Sequence, residues 1–503
     1  MSVNIHPNDS HNARLVEQLH PASWVNPTPK PRYHLVVIGA GTAGLVTAAG
    51  AAGLGARVAL IERGLMGGDC LNVGCVPSKS VIAASREWAA AHNAARDFHG
   101  PAAPGDGDFS QVMERMRRLR ADISPIDGAA RFTSLGVDVF LGDASFTGPE
   151  TVAVDGAQLK FRRAVIATGA RASAPAIPGL SDVPYLTNET LFELTERPEH
   201  LVVMGGGPIG CEMAQAFARL GCAVTLIDRG SRLLPRDDPD ASAIVAAALK
   251  RDGVDLRFDS TVNAVAKTAR GVSLSCTRDG RAEVVEGDRL LVAIGRTPNV
   301  EGLGLHAAGV VYTARGVTVD DRLRTSNAKV YACGDICSTL QFTHAADFQA
   351  RMVIQNALFF GRKKASQLVI PWATYTSPEV AHVGHTEASA HAASVAVQTF
   401  TVPFHDVDRA ILDGHTEGFA RVHVRSGTDT IVGATIVAEH AGDLLAEVTL
   451  CITNGLGLSA IGSTIHPYPT QSDALRKCAD AWRKTKLTPT VRSLFARWFR
   501  WFS

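Results

Sequence analysis

The chain has 503 residues, too many for one ordinary core, so two to four domains are expected. Fifty Lys and Arg residues against forty-nine Asp and Glu leave a formal charge of +1, which offers no electrostatic case for nucleic acid as a partner. With 46% hydrophobic and 20% charged residues, a polar N-terminus without an apolar h-region and no run that reads as a membrane span, the expectation is a soluble globular protein of the cytoplasm. Nine cysteines in a chain of this size are no secreted disulfide framework. In a reducing compartment a cysteine pair is more often catalytic or metal-binding than structural.

Residues 1–33 contain Pro and His with weak periodicity and read as an extension lying on the surface. HLVVIGAG (34–41) is a buried-strand run ending in glycines, an Ala/Gly-rich helical stretch follows to about residue 55, and ARVALIER (56–63) is a second strand. Gly39, Gly41 and Gly44 form G-x-G-x-x-G, and Glu62 stands eighteen residues after the last glycine. Such glycines let backbone approach a pyrophosphate at a helix N-terminus, and the acid binds a ribose hydroxyl.

Residues 67–79, GGDCLNVGCVPSK, then place Cys70 and Cys75 in C-x₄-C. Zinc sites use two C-x₂-C pairs or matching histidines, and neither is present locally. A structural disulfide here would close a loop too short to gain much chain entropy. A disulfide that opens and closes as chemistry is the third option, and the surroundings must decide.

Further along, AVIATGA (164–170) and LLVAIGR (290–296) are strands ending at Gly, placed where the chain would cross between two domains. Between them the first design returns: HLVVMGGG (200–207), a helix through EMAQAFARLG, and CAVTLID (222–228). Gly205, Gly207 and Gly210 repeat the motif, and Asp228 repeats the acid at the same spacing. One such motif is weak; two, each between a strand and a helix, are specific. VYACGDI (330–336) delivers Gly334-Asp335 to a loop suited to a polar cofactor tail. After about residue 370, EGFARVHVRSGTDTIVGATIVAE (417–439) alternates like antiparallel strands around a turn, and helical stretches and IHPYPT (465–470) follow.

Two dinucleotide motifs, a C-x₄-C pair just after the first of them and a C-terminal α+β region together resemble the class I flavin disulfide reductases. That family includes glutathione reductase, lipoamide dehydrogenase and mercuric reductase. GGDCLNVGCVPSK carries the resemblance most specifically, and ATG (167–169), GGGPIGCE (205–212), GRTPN (295–299) and GD (334–335) follow in the right order, so that about residues 34–485 are covered. The resemblance implies an α/β fold with two Rossmann-type dinucleotide-binding domains, for FAD and NAD(P), and a C-terminal α+β dimerisation domain. The expected division is 1–33 extension, 34–170 with 301–369 for FAD, 171–300 for NAD(P), 370–485 for dimerisation and 486–503 as a basic aromatic tail. It implies a homodimer whose active site borrows residues from the partner's C-terminal domain. Gly39, Gly41, Gly44, Glu62, Lys79, Gly142, Thr168, Gly169, Gly295 and Asp335 would serve FAD and its surroundings, and Gly205, Gly207, Gly210 and Asp228 the nicotinamide cofactor. Electrons would pass from NADH or NADPH through FAD to a Cys70–Cys75 disulfide. Cys75 would lie against the flavin as thiolate, Cys70 would be the outer thiol, and Lys79 would pair with Glu212 near the flavin.

The chain departs from the family near its end. Lipoamide dehydrogenase and glutathione reductase carry His-Pro-Thr-x-x-Glu, with histidine as acid/base. Here Tyr468 takes the histidine position and Asp473 the glutamate position, while His466 lies two residues too early. Tyrosine ordinarily titrates near pH 10 and is a poor proton shuttle for a dithiol. Mercuric reductases are similar in carrying tyrosine there; the plainer role for Tyr468 is packing at the dimer interface. The C-terminal cysteine pair of mercuric reductases is missing, Cys451 and Cys478 stand alone in sequence, and Cys333 and Cys337 read as core or flavin-packing residues, so no metal site is expected. Asp228 favours NADH, although Arg229 and Arg232 stand close enough to clamp a 2′-phosphate. The tail, with Phe495, Trp498, Phe499, Trp501 and Phe502 among Arg497 and Arg500, fits either a membrane surface or the protein's own. The sum is a mercuric reductase-like NAD(P)H:disulfide oxidoreductase acting on a small-molecule acceptor. The alternatives are a dihydrolipoamide dehydrogenase using His466 and a membrane-docked flavoprotein subunit.

Overall fold

The strand Tyr33–Ile38 (YHLVVI) is buried along almost its whole length, so it needs cover on both faces and a neighbour on each edge. In the computed structural model, which describes residues 3–103, 105 and 107–502, it has both. Met1 and Ser2 of the extension and Ser503 of the tail lie outside the described residues. Strands Val58–Glu62 and Ala157–Ile166 flank it in parallel, with Val37 opposite Leu60 on one side and Val165 on the other. Val137–Leu141 extends the sheet beyond Val58–Glu62, and Val330–Ala332 joins Ala157–Ile166 at its far end, so a strand from much later in the chain closes this unit. Helices Thr42–Gly53 and Thr343–Leu358 cover one face, with Gly50 facing Ile354, and the cluster of Phe146, Phe161 and Leu305 covers the other.

A second parallel sheet runs Val254–Arg257, Ala223–Ile227, His200–Met204, Arg289–Val292, and packs on the antiparallel sheet Ser260–Thr268, Gly271–Arg278, Arg281–Gly287. Two short strands, Ala170–Ala172 and Arg296–Pro298, pair antiparallel where the chain enters and leaves this unit. The third unit is a five-stranded antiparallel sheet in the order Trp372–Thr374, Glu379–Gly384, Ile431–Ala438, Phe419–Arg425, Val397–Pro403. Helices Ala441–Thr453 and Asp473–Thr485 pack on it through Leu445 and Leu475.

Residues 1–33 differ from the expected surface extension. Ser10–Leu19 is a helix whose N-cap, Asp9, accepts a hydrogen bond from the Asn12 amide (2.8 Å), and its Leu15 and Leu19 are fully buried beside Ala121, Ala129 and Phe132. Trp24 then donates to the Val139 carbonyl (3.3 Å), and Asn26 bonds both the amide and the carbonyl of Leu141 (2.8 and 3.0 Å). The segment therefore lines the edge of the first sheet. At the other end of the chain, helix Pro489–Trp501 buries none of its residues.

Burial separates these two termini energetically. Leu15→Ala is expected to lower stability by about 2–4 kcal/mol, whereas Leu494→Ala in the exposed C-terminal helix should stay within about 0.5 kcal/mol. Urea midpoints of the two variants test this, and equal midpoints would mean the N-terminal helix is not held as described.

Candidate active site

The two glycine turns face one another across a cleft of ≈ 1310 Å³. Within each turn the first and third glycines are required by packing alone. A Cβ on Gly39 would sit 2.4 Å from the Ala167 carbonyl oxygen, and one on Gly44 would sit 1.8 Å from the Gly39 oxygen. The second copy repeats this, with 2.5 Å from Gly205 to the Ala293 oxygen and 1.9 Å from Gly210 to the Gly205 oxygen. The middle glycines differ. A Cβ on Gly41 meets nothing nearer than 3.6 Å, and one on Gly207 nothing within 4 Å. Protein packing does not need glycine at these two positions, but a ligand phosphate approaching the helices Thr42–Gly53 and Pro208–Arg219 end-on would. Both cradles fit a dinucleotide on this ground.

Each acid ties down its turn. Glu62 accepts hydrogen bonds from the Ala40 amide (2.6 Å) and the Gly64 amide (2.8 Å), and Asp228 accepts from Gly206 (2.5 Å) and Gly230 (2.6 Å). Burial pushes the Glu62 carboxyl up, against the pull of those amides. Thr168 and Gly169 are clamped by Asn299, whose side chain donates to the Thr168 carbonyl (2.9 Å) and whose carbonyl accepts from the Thr168 hydroxyl (2.9 Å). Gly142 is not part of the cleft wall; its amide donates to the Glu62 carbonyl, and a Cβ at this position would sit 2.5 Å from the Asp155 carboxylate. Gly44 and Gly210 likewise stand behind the wall as packing glycines.

Cys70 and Cys75 open into this cleft as two thiols. Gly67 and Gly68, with φ of 89° and 58°, turn the chain into the short helix Gly68–Asn72, and Cys75 is the first residue of the 24-residue helix Cys75–Phe98. Its sulfur therefore sits at a helix N-terminus, which favours negative charge. The Cys75 thiol is lowered to about 6, first by a hydrogen bond from Cys70, then against its burial by the Thr343 hydroxyl (3.4 Å) and the Lys79 ammonium. Cys70, giving that hydrogen bond, is pushed well up, and burial adds to the rise. The pair is thus split into a thiolate and a thiol.

Lys79 lies one turn into the same helix, with Nζ 2.8 Å from Glu212 Oε2 and 4.4 Å above the Tyr375 ring. Burial opposes its charge, but Glu212 holds the ammonium above its usual value. The other Glu212 oxygen accepts from the Tyr375 amide (3.0 Å). Asp335, raised by burial, reaches the Arg296 guanidinium at 3.5 Å, and Arg296 also pairs with Asp69 beside Cys70. Arg120 donates to the Asn72 carbonyl between the cysteines (2.6 Å) and to Asn12 of the N-terminal helix (2.7 Å). Reading the sequence did not single out Arg296, Thr343, Tyr375 or Arg120; only Arg296 had a signal, as part of GRTPN.

Within one chain His466, Tyr468 and Asp473 stand apart from this cleft, in the third unit. The Tyr468 hydroxyl donates to Asp408 (2.8 Å), which holds its pKa up, and the ring is 75% exposed. His466 is half-buried, with Nε2 2.9 Å from Glu447 and no partner for Nδ1. Asp473 bonds Arg476 (2.8 Å).

A protein with two facing dinucleotide cradles and a thiol–thiolate pair between them is a flavin- and nicotinamide-dependent disulfide reductase in class. The family description "Pyridine nucleotide-disulphide oxidoreductase" matches residues 33–350, and that family's dimerisation domain matches 370–479. The chain belongs to this family and is an FAD-dependent oxidoreductase using NAD(P)H. It is 35% identical to a mercuric reductase of Staphylococcus aureus over 449 residues, 89% of this chain and 82% of the relative. It is also 34% identical to a dihydrolipoyl dehydrogenase of Thermus scotoductus, over 90% and 98%. Among solved structures, LpdA of Mycobacterium tuberculosis superimposes with a TM-score of 0.81 at 28% identity, covering 90% of this chain and 99% of that one. The flavoprotein disulfide reductase RclA of Escherichia coli, a Cu(II) complex, gives 0.79 at 28%, over 88% and 98%.

The order of influences on Cys75 is measurable. In the reduced enzyme, iodoacetamide should alkylate Cys75 with a midpoint near pH 6. Cys70→Ala should raise that midpoint more than Lys79→Ala, because the thiol hydrogen bond is the larger cause. A midpoint unmoved by Cys70→Ala would refute the assignment.

Proposed function

We propose that the protein passes electrons from NADH through FAD to a Cys70–Cys75 disulfide and on to a small thiophilic acceptor, as a homodimer in the cytoplasm. The observation that carries this reading is the pair of free thiols, Cys70 and Cys75, opening into the one cleft that both glycine cradles line. When bound, FAD supplies the hydride and electron chemistry that delivers two electrons to the disulfide. Opening the S–S bond with two electrons and one proton leaves Cys75 as thiolate and Cys70 as thiol. The helix N-terminus, Lys79 and Thr343 then hold the charge on Cys75, and Glu212 keeps Lys79 in place. Cys70, the outer thiol, meets the acceptor.

The exposed Tyr468 segment, with Ile465 95% exposed beside it, fits a surface that a second copy covers and carries toward the partner's Cys70. A soft metal ion suits this arrangement, since thiolates ligate it directly, and mercuric reductases are among the relatives. One observation favours a second reading, dihydrolipoamide dehydrogenase. His466 and Glu447 form a histidine–carboxylate pair of the kind an acid/base group needs.

NADH is the proposed donor. Asp228, held at the second turn by the Gly206 and Gly230 amides, would accept from a ribose hydroxyl and repel a 2′-phosphate, and Arg232 is occupied by the carbonyls of Leu234, Pro235 and Asp237. Steady-state kinetics should show at least about a tenfold preference for NADH, roughly 1.4 kcal/mol; a tenfold preference for NADPH overturns the assignment.

Tyr468→His decides the acceptor. General acid–base help is worth about 10²–10⁴ in rate, so the substitution should raise lipoamide turnover by about tenfold or more and leave Hg(II) reduction no faster. Brisk wild-type lipoamide activity that collapses in His466→Ala would make His466 the acid/base and the second reading correct.

A further inference from the structure

The helix Pro489–Trp501 contributes nothing to the cleft, yet its sequence is far from neutral. Thr488 caps it, accepting from the Val491 amide (3.3 Å), and Pro489 opens it. At about 100° per residue, Leu494, Phe495, Trp498, Trp501 and Phe502 fall on one side of the helix. Arg492 and Arg497 border that side, and Arg500 lies opposite. All five apolar side chains are exposed, Trp501 to 78%, and the rings of Trp498, Trp501 and Phe502 touch one another (Trp498 to Phe502, 4.7 Å between centroids). Among the described residues, no residue of the helix is buried.

Charge distinguishes the occupants this face would take. From residue 481 onward the chain carries Arg483, Lys484, Lys486, Arg492, Arg497 and Arg500 and no acid, which leaves the rest of the chain net negative. A second copy of the same helix would bring cation against cation. An anionic surface attracts the tail and repels the body, so it selects the tail as the point of contact. Thirteen residues rise about 20 Å, too short for the roughly 30 Å hydrocarbon core, so the helix lies in the interface and does not cross it. Trp and Phe seat at the acyl–headgroup boundary, while arginines extend their stems to reach headgroup phosphates.

We propose that residues 486–502 form an interfacial anchor that lays the enzyme on an anionic lipid bilayer, reversibly and in a salt-dependent way. The test uses the full-length FAD-loaded enzyme, floated with vesicles of phosphatidylcholine alone or mixed with phosphatidylglycerol. Flotation is expected with the mixed vesicles at low salt, about tenfold weaker on phosphatidylcholine alone and weaker again in high salt. The triple variant R492E/R497E/R500E and the double variant W498A/W501A should each lose flotation by about tenfold or more. Flavin content and NADH oxidation should be unchanged, which separates loss of anchoring from loss of fold. Three results would each overturn the proposal: no flotation on mixed vesicles, equal flotation on phosphatidylcholine alone, or full flotation of the charge-reversed variant. So would a change of oligomeric state on removing residues 488–503, because the face would then be an interface between copies.

Discussion

The sulfur of Cys75 has to carry negative charge in a protein cleft where neighbouring atoms replace part of its water, and such a charge is costly unless nearby groups stabilise it. Much of the surrounding structure answers that one requirement. The charge is spread over a helix N-terminus, a thiol from Cys70, a hydroxyl from Thr343 at the start of another helix, and an ammonium one turn away. Burial lowers the Lys79 ammonium and Glu212 raises it again, so a carboxylate that by its own charge opposes the thiolate also supports the cation that favours it.

That dependence is also what joins the three units. Lys79 belongs to the first unit, Glu212 to the second, and the Tyr375 amide held by Glu212 to the third. Around this junction further polar contacts fix the relative positions of the units. Arg86 pairs with buried Glu379 (2.9 Å), Gln215 exchanges hydrogen bonds with Ser377 (2.8 and 2.9 Å), and Arg421 reaches Asp238 (3.2 Å). Buried polar pairs of this kind stabilise little relative to apolar packing, but they penalise any other docking angle because each would leave a buried partner unmatched. The electrostatics of one sulfur and the docking of the units are thus the same problem.

The legibility of these features in the sequence followed their range. The glycine turns and their acids lie within about 25 residues of each other, and periodicity with spacing exposes them. Gly142, which the family resemblance assigns to the flavin surroundings, lies behind the cleft wall. Lys79 and Glu212 are 133 residues apart, and only the resemblance put them together. Arg296, Thr343 and Tyr375 are single residues whose roles arise from tertiary placement, so no local pattern announces them. The N-terminal helix is hard to read from the sequence for a different reason. It buries just two large apolar side chains, Leu15 and Leu19, one turn apart among polar residues, and gains the rest of its hold from Asn12, Arg117 and Arg120 across the interface.

The split of the cysteine pair bears on what the site can reduce. Because the Cys75 thiol is lowered and the Cys70 thiol raised, the proton of the reduced pair is favoured on Cys70, which donates toward the Cys75 sulfur. A disulfide substrate attacked by Cys70 must first have that proton taken away, and only then does the attacking thiolate form. This demands a base titrating near neutrality, and Tyr468, bonded to Asp408, is pushed the other way. A soft cation removes the proton by ligation itself, since it takes thiolate and releases H⁺, and both sulfurs then become ligands in place of the hydrogen bond between them. On the proposed reading, the arrangement that stabilises the Cys75 charge also bears on the acceptor. It would hinder attack on disulfides unless a second base such as His466 reached the pair, and it would leave ligation of a thiophilic ion unhindered.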